Sequence, residues 1–206
     1  MNMTSRAAGL ACALALLATA TAHAEQTAAA GTPLAVVRHT VDGVIAVLAD
    51  KGRSEDSRRR EVKALISENF DFAAMANRVL ATNWRKASKS ERSRFTNLFR
   101  ELLSNTYWAR ISAYRDEQVE YLGERQRSER LATVNTLIKT DSADIPVDYK
   151  LYLRGERWLA YDVVIEQVSL VRNYRSSFQD LVRQKGIAGL ISELETKVAA
   201  SSAPAP

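Results

Sequence analysis

Two histidines, His23 and His39, and one cysteine, Cys12, are all that this 206-residue chain offers to imidazole or thiol chemistry. His23 and Cys12 fall in an N-terminal stretch that reads as a removable leader, which leaves His39 alone, near the start of an amphipathic segment. One imidazole cannot build a histidine metal cluster, and no Ser-His-Asp or Cys-His arrangement is legible. The acidic pairs Glu55-Asp56 and Asp116-Glu117 sit at predicted element ends, where they read as caps or solvated charge. Tyr161 and Asp162 could make a donor–acid pair, but neighbours on a strand point to opposite faces. No glycine-rich loop follows a strand to cradle a phosphate. The expected sets of catalytic residues, metal ligands and cofactors are therefore all empty.

Arg6, the apolar run Ala7 to Ala20 and the small-residue site Ala22-His23-Ala24 have the form of a cleavable export signal. The run is shorter than the ~20 residues a membrane span needs. "GLAC" at Cys12 has the shape of an acylation site, with too little apolar sequence before it. Once the leader is gone no thiol remains, so disulfides and thiolate sites are excluded. The reading is 1–24 signal peptide, 25–33 linker, 34–199 one α+β domain and 200–206 disordered tail. The net charge of +5 suits an anionic membrane surface, an acidic partner or a plain solvated surface. Export argues against nucleic acid.

The elements that must position any site follow from period. "PLAVVRHTVDGVIAVLAD" is an amphipathic helix with Val37, Val41, Val44, Ile45 and Leu48 inward. "SEDSRRREVKALISENF" is a second, opened by Ser54 and two acids. Asp71 is a plausible N-cap for a short third helix. Ser88 and Glu91 form a capping box for a helix of more than six turns. The period then switches to two over 118–124, 130–140, 145–154 and 157–166, a four-stranded antiparallel meander. In the third strand Ile145, Val147, Tyr149, Leu151 and Leu153 share a face. In the fourth, alternation places Leu159, Tyr161, Val163 and Ile165 together. Helices over about 170–184 and 187–199, parted by Gly186, close the chain. Helices, a curved sheet and covering helices make an α+β domain.

What is left for function is apolar and aromatic: Phe70, Phe72, Met75, Trp84, Phe95, Phe99, Tyr107, Trp108, Tyr149, Tyr161, Tyr174 and Phe178. Such residues fill the core of any helix-on-sheet domain. Periodicity cannot tell a filled core from a cavity lined by the same side chains.

Two stretches carry a resemblance. "NFDFAAMANRVLATNWRKASKSERSRFTNLFRELLSNTY" (69–107) and "VDYKLYLRGERWLAYDVVIEQVSLVRNYRSSFQDLVRQKGIAGLISEL" (147–194) are similar to the signature of the MlaC, or toluene-tolerance, family. The matching features include F-D-F before Met75, Trp84 with a basic residue after it, Trp158 before Tyr161-Asp162, and V-S-L-V with N-Y-R-S. The resemblance implies a periplasmic carrier of phospholipid, or of a related membrane lipid, that maintains outer-membrane lipid asymmetry. It implies helices and a curved sheet around a deep apolar pocket. The implied partners are an inner-membrane ABC transporter with an MCE-domain subunit and an outer-membrane lipoprotein–porin complex.

On that resemblance the pocket wall is Phe72, Met75, Val79, Trp84, Phe95, Phe99, Leu103, Tyr107 and Ile111 along the helices. On the strands it is Tyr149, Leu151, Tyr161, Val163 and Ile165, and at the strand-to-helix corner Val168, Val171, Tyr174 and Phe178. Arg172 and Arg175 lie on another side of that corner helix, free for a lipid phosphate, an acidic partner or water. Two positions depart from the family pattern: Ala81 and Gln167 stand where it often has Gly. The competing expectations are a small-ligand binder or enzyme on a cone-shaped α+β scaffold, and an adaptor with a filled core.

Overall fold

A computed structural model describes residues 31–114 and 117–202. The leader, residues 25–30 of the linker, Asp116 and the last four residues lie outside them.

Helix α1 (Pro33–Ala49) starts where Thr32 accepts the Ala35 amide through its hydroxyl and Pro33 supplies the helical φ. Ser54 caps α2 (Glu55–Asn69) through the Ser57 amide, with Glu55 and Asp56 in the first turn, where the helix dipole favours acids. Asp71 caps α3 (Phe72–Leu80) through the Ala74 amide. A five-residue α4 (Thr82–Lys86), which sequence period did not separate from α3, follows directly. The Ser88–Glu91 capping box forms in both directions and opens the 24-residue α5 (Lys89–Ser112).

The sheet runs β1 (Gln118–Ser128), β2 (Leu131–Lys139), β3 (Asp144–Arg154) and β4 (Arg157–Ile165) in spatial order. A fifth strand, β5 (Val168–Ser169), pairs with the end of β4 and corrects the expected count of four. It is two residues long, below the length at which alternation can be seen. All pairings are antiparallel. Chain then passes straight into α6 (Leu170–Ser202), whose helical run is interrupted at Gly186, with φ 70 and ψ −176. That conformation is essentially reserved for glycine. The helix continues to Ser202, past the expected boundary at 199.

One expected face is corrected by a bulge. Lys150 pairs with Asp162 and Leu151 with Ala160, so Tyr161 is the extra residue. The insertion flips the alternation. Trp158 and Ala160 share the inner face with Val163 and Ile165, whereas Leu159 and Tyr161 lie on the outer one with Tyr152. Tyr161 meets the Tyr152 ring at 6.0 Å, with the Arg78 guanidinium 4.1 Å above it.

The interior is divided. α3, α5 and α6 enclose one apolar cluster around Phe95, Phe99, Met75 and Leu190. α1 closes the inner face of β2–β4 over Val134, Leu151, Trp158 and Ala160. α1, α2 and α5 share a third cluster around Val62 and Trp108. A fourth, of Val147, Val163 and Leu170, lies where β3 and β4 meet the start of α6.

Candidate functional site

The α6 corner is fixed by a buried carboxylate. Asp162, 4% exposed, follows the bulge and accepts from Ser169 Oγ at 2.7 Å, Lys150 Nζ at 3.2 Å and the Val171 amide at 3.1 Å. Ser169 caps the helix through the Arg172 amide. The β4–β5 turn that leads there, Glu166-Gln167, has φ of 48 and 69. Positive φ at both central residues is the mark of a two-residue turn whose twist suits a hairpin. A side chain resists it.

From this corner α6 lays Val171, Tyr174 and Phe178 against α5. Phe95 and Phe99 stack at 5.9 Å, Phe178 stands edge-on to both, and Tyr174 is edge-on to Phe99 at 5.3 Å. Met75, Val79, Leu103 and, at its margin, Phe72 and Trp84 complete this group. Arg92 lies over Trp84 and donates to its carbonyl.

Between the helical cluster and the sheet runs a seam of shared residues. Phe70 packs against the helical cluster, the α1–sheet cluster and the Val147–Val163–Leu170 cluster alike. Its ring meets Tyr149 edge-on at 6.5 Å, and its backbone bridges Ala160 on the β4 edge. Tyr107 joins the first and last of these clusters, Tyr149 the second and last. Burial pushes the Tyr149 hydroxyl up to about 12. Burial first, then neighbouring Tyr174, raises that of Tyr107. Neither hydroxyl is hydrogen-bonded to a described residue. Both stay neutral at any physiological pH and are available as donors.

Of the expected wall, Tyr107, Tyr149, Val163 and Ile165 meet at this seam, with Leu151 beside it. Three residues lie elsewhere. Ile111 packs on the Trp108 cluster with α1 and α2. Tyr161 is turned to the outer face by the bulge. Val168 is 55% exposed on β5. Phe70, central to the seam, was not in the expected wall. The F-D-F spacing marked it as aromatic, but the residue falls between helices, where no period assigns a face. His39 is exposed on α1.

In place of one deep pocket between sheet and helices, two small clefts are seen among the described residues. A cleft of about 80 Å³ lies between the α3–α4 corner and α6, lined by Val79, Ala81, Asn83, Arg175 and Phe178 among others. A narrower one of about 10 Å³ lies under α1, lined by Val37, Phe70, Tyr149 and Leu151 among others. Ligand pockets for even drug-sized molecules are about 300 Å³ or more. The interior is a set of packed apolar clusters that share Phe70, Tyr107 and Tyr149.

Ala81 is the other departure from the family pattern. It caps the end of α3 and the start of α4 at φ 51, ψ −120. Like Gln167, it holds a positive φ.

The chain shares its fold with a phospholipid-binding protein from Ralstonia solanacearum, solved in complex with a phospholipid. The superposition has a TM-score of 0.76 at 22% identity and covers 82% of this chain and 98% of the other. The family model described as MlaC protein matches residues 38–196. With most of its length inside that match, this chain belongs to the MlaC family.

Proposed function

We propose that this protein binds phospholipid by enclosing acyl tails along the seam of Phe70, Tyr107, Tyr149 and Val163, and that it acts by carriage, not catalysis. The observation that carries this reading is the partition of the interior into apolar clusters joined at a few shared rings. A single continuous core would have to be broken to admit a chain; here α5, α6 and the sheet need only separate along an existing joint. Family membership and the fold shared with a phospholipid-bound protein support the same reading.

Two C16 tails hold about 28 methylenes, whose exposure to water would cost about 22 kcal/mol at ~0.8 kcal/mol each. A lipid therefore does not cross water alone, and an apolar interior that opens around it hides what the bilayer hid. The closed form sets the balance: affinity falls by the fraction of molecules open, so a partner that favours one form loads or unloads the cargo. In this reading the protein works in the periplasm after removal of its leader. It exchanges lipid with an outer-membrane lipoprotein–porin complex and an inner-membrane ABC transporter bearing an MCE-domain subunit, and so maintains outer-membrane lipid asymmetry.

Native mass spectrometry of the purified protein tests the binding step. Phospholipid-mass adducts are expected on the parent protein. Val163→Met adds bulk beside Tyr149 without a charge and should reduce the adducts, with a urea titration showing the variant still folded. A bare protein that takes up no phospholipid after delipidation and re-exposure would refute the reading; a small bound metabolite would favour a ligand-binding or enzymatic scaffold.

A further inference from the structure

One region of this chain carries a marked excess of positive charge. Between Arg78 and Arg94 stand six cations, Arg78, Arg85, Lys86, Lys89, Arg92 and Arg94, against one acid, Glu91. With Arg172 and Arg175 added, this region holds more net positive charge than the +5 of the entire chain. The fold brings the two stretches together. Arg175 Nε donates to the Arg78 carbonyl at 2.7 Å and borders the same cleft as Thr82 and Asn83. Arg92 Nε donates to the Trp84 carbonyl at 2.9 Å, which folds the first turns of α5 onto α4.

Little of this charge is neutralised. Glu91 is occupied by the backbone amide and hydroxyl of Ser88, and Arg94 by Glu195. Among the described residues Arg85, Lys86, Lys89, Arg172 and Arg175 make no ion pair, and all five are exposed. A folded protein that spends its charge on solubility mixes the signs; this face does not.

We propose that the face formed by α4, the first turn of α5 and the first turns of α6 rests on an anionic phospholipid bilayer. Lys86 and Lys89, a residue type that protein interfaces deplete, stand among its exposed unpaired cations. Cations of one sign on several short elements fit a diffuse layer of phosphates, which demands charge but no register. This surface is separate from the seam: it concerns what the protein sits on, not what it encloses.

Co-sedimentation with vesicles tests it, using phosphatidylcholine alone and phosphatidylcholine with a minority of phosphatidylglycerol. Protein in the pellet reports the surface, and lipid in the supernatant with protein reports enclosure, so either can fail while the other holds. The parent protein should pellet with the anionic vesicles only, and less so as salt rises to about 0.15 M, where screening acts over ~8 Å. The triple variant R85Q/K86Q/K89Q should weaken partitioning on the order of 100-fold. Removing the same charge from scattered exposed sites, as R60Q/R125Q/R127Q, should change it less than about threefold, and circular dichroism should be alike for all. Equal losses in the two triples would overturn the proposal, since net charge alone would then govern. So would equal pelleting with both vesicle types, or retention on an acidic polypeptide column without vesicle binding.

Discussion

Replacing Ala81 by glycine should make this protein more stable, although it removes an atom and adds a flexible residue. The Ala81 amide donates to the Asn77 carbonyl at 2.9 Å, and its carbonyl accepts from the Trp84 amide at 3.1 Å. The backbone is thus pinned from both sides at φ 51, ψ −120. Holding a side chain in so sparsely populated a region costs about 1–3 kcal/mol. Glycine relieves that cost and gives back about 0.4–1 kcal/mol as unfolded-chain entropy. Ala81 is exposed, so its methyl contributes little burial to lose. The net gain is ~1 kcal/mol, or about 2–4 °C in Tm for a chain of this size. Ala87 supplies the opposite sign. It is 4% exposed at an ordinary φ of −71, so Ala87→Gly should lower stability by ~1 kcal/mol or more through lost burial and added entropy. Thermal melts and urea titrations of the two variants decide the matter. An Ala81→Gly protein no more stable than the parent, or shifted the same way as Ala87→Gly, would refute the reasoning.

Gln167→Gly, at φ 69 in the β4–β5 turn, should stabilise by ~0.5–1 kcal/mol on the same balance, read by urea midpoint. Asp162→Asn keeps the shape of the corner but removes the charge from two buried contacts and one partly buried one. It should cost about 2 kcal/mol, seen as a lower urea midpoint at unchanged slope. Asp71 yields a pH effect of fixed sign. Burial alone would raise its carboxyl, but the Tyr152 hydroxyl, the Ala74 amide and the Arg154 guanidinium together hold it below its ordinary 3.8. Its contribution is therefore complete above that ordinary value and is lost as pH falls through the lower native one. Asp71→Asn should melt below the parent at neutral pH, and the gap should narrow on acidification below 3.8.

Three helix starts are legible in the sequence because each has a local chemical mark: Ser54, Asp71 and Ser88 each accept an amide three residues on, as does Thr32, whereas α4 has no side-chain cap. Gly186 was equally plain, since a single residue type tolerates its backbone. The bulge at Tyr161 has no such mark. It depends on how β4 meets β3, and alternation counted along one strand cannot register an insertion relative to its neighbour. Tyr161 was therefore placed on the wrong face. Val168 and Ile111 lie away from the seam, because period fixes which residues share a face and not which neighbouring element that face meets. The same gap in information hid the closed interior, because side chains that line a joint and side chains that fill it obey one pattern. The two departures from family glycines were legible only by resemblance, and both coincide with positive φ.

Phe70 is the one ring that three of the four apolar clusters hold in common, and it sits where the chain turns from α2 into α3. It therefore behaves as a hub. Truncating this one ring would remove packing from three compartments together, a wider loss than any neighbouring aromatic would cause.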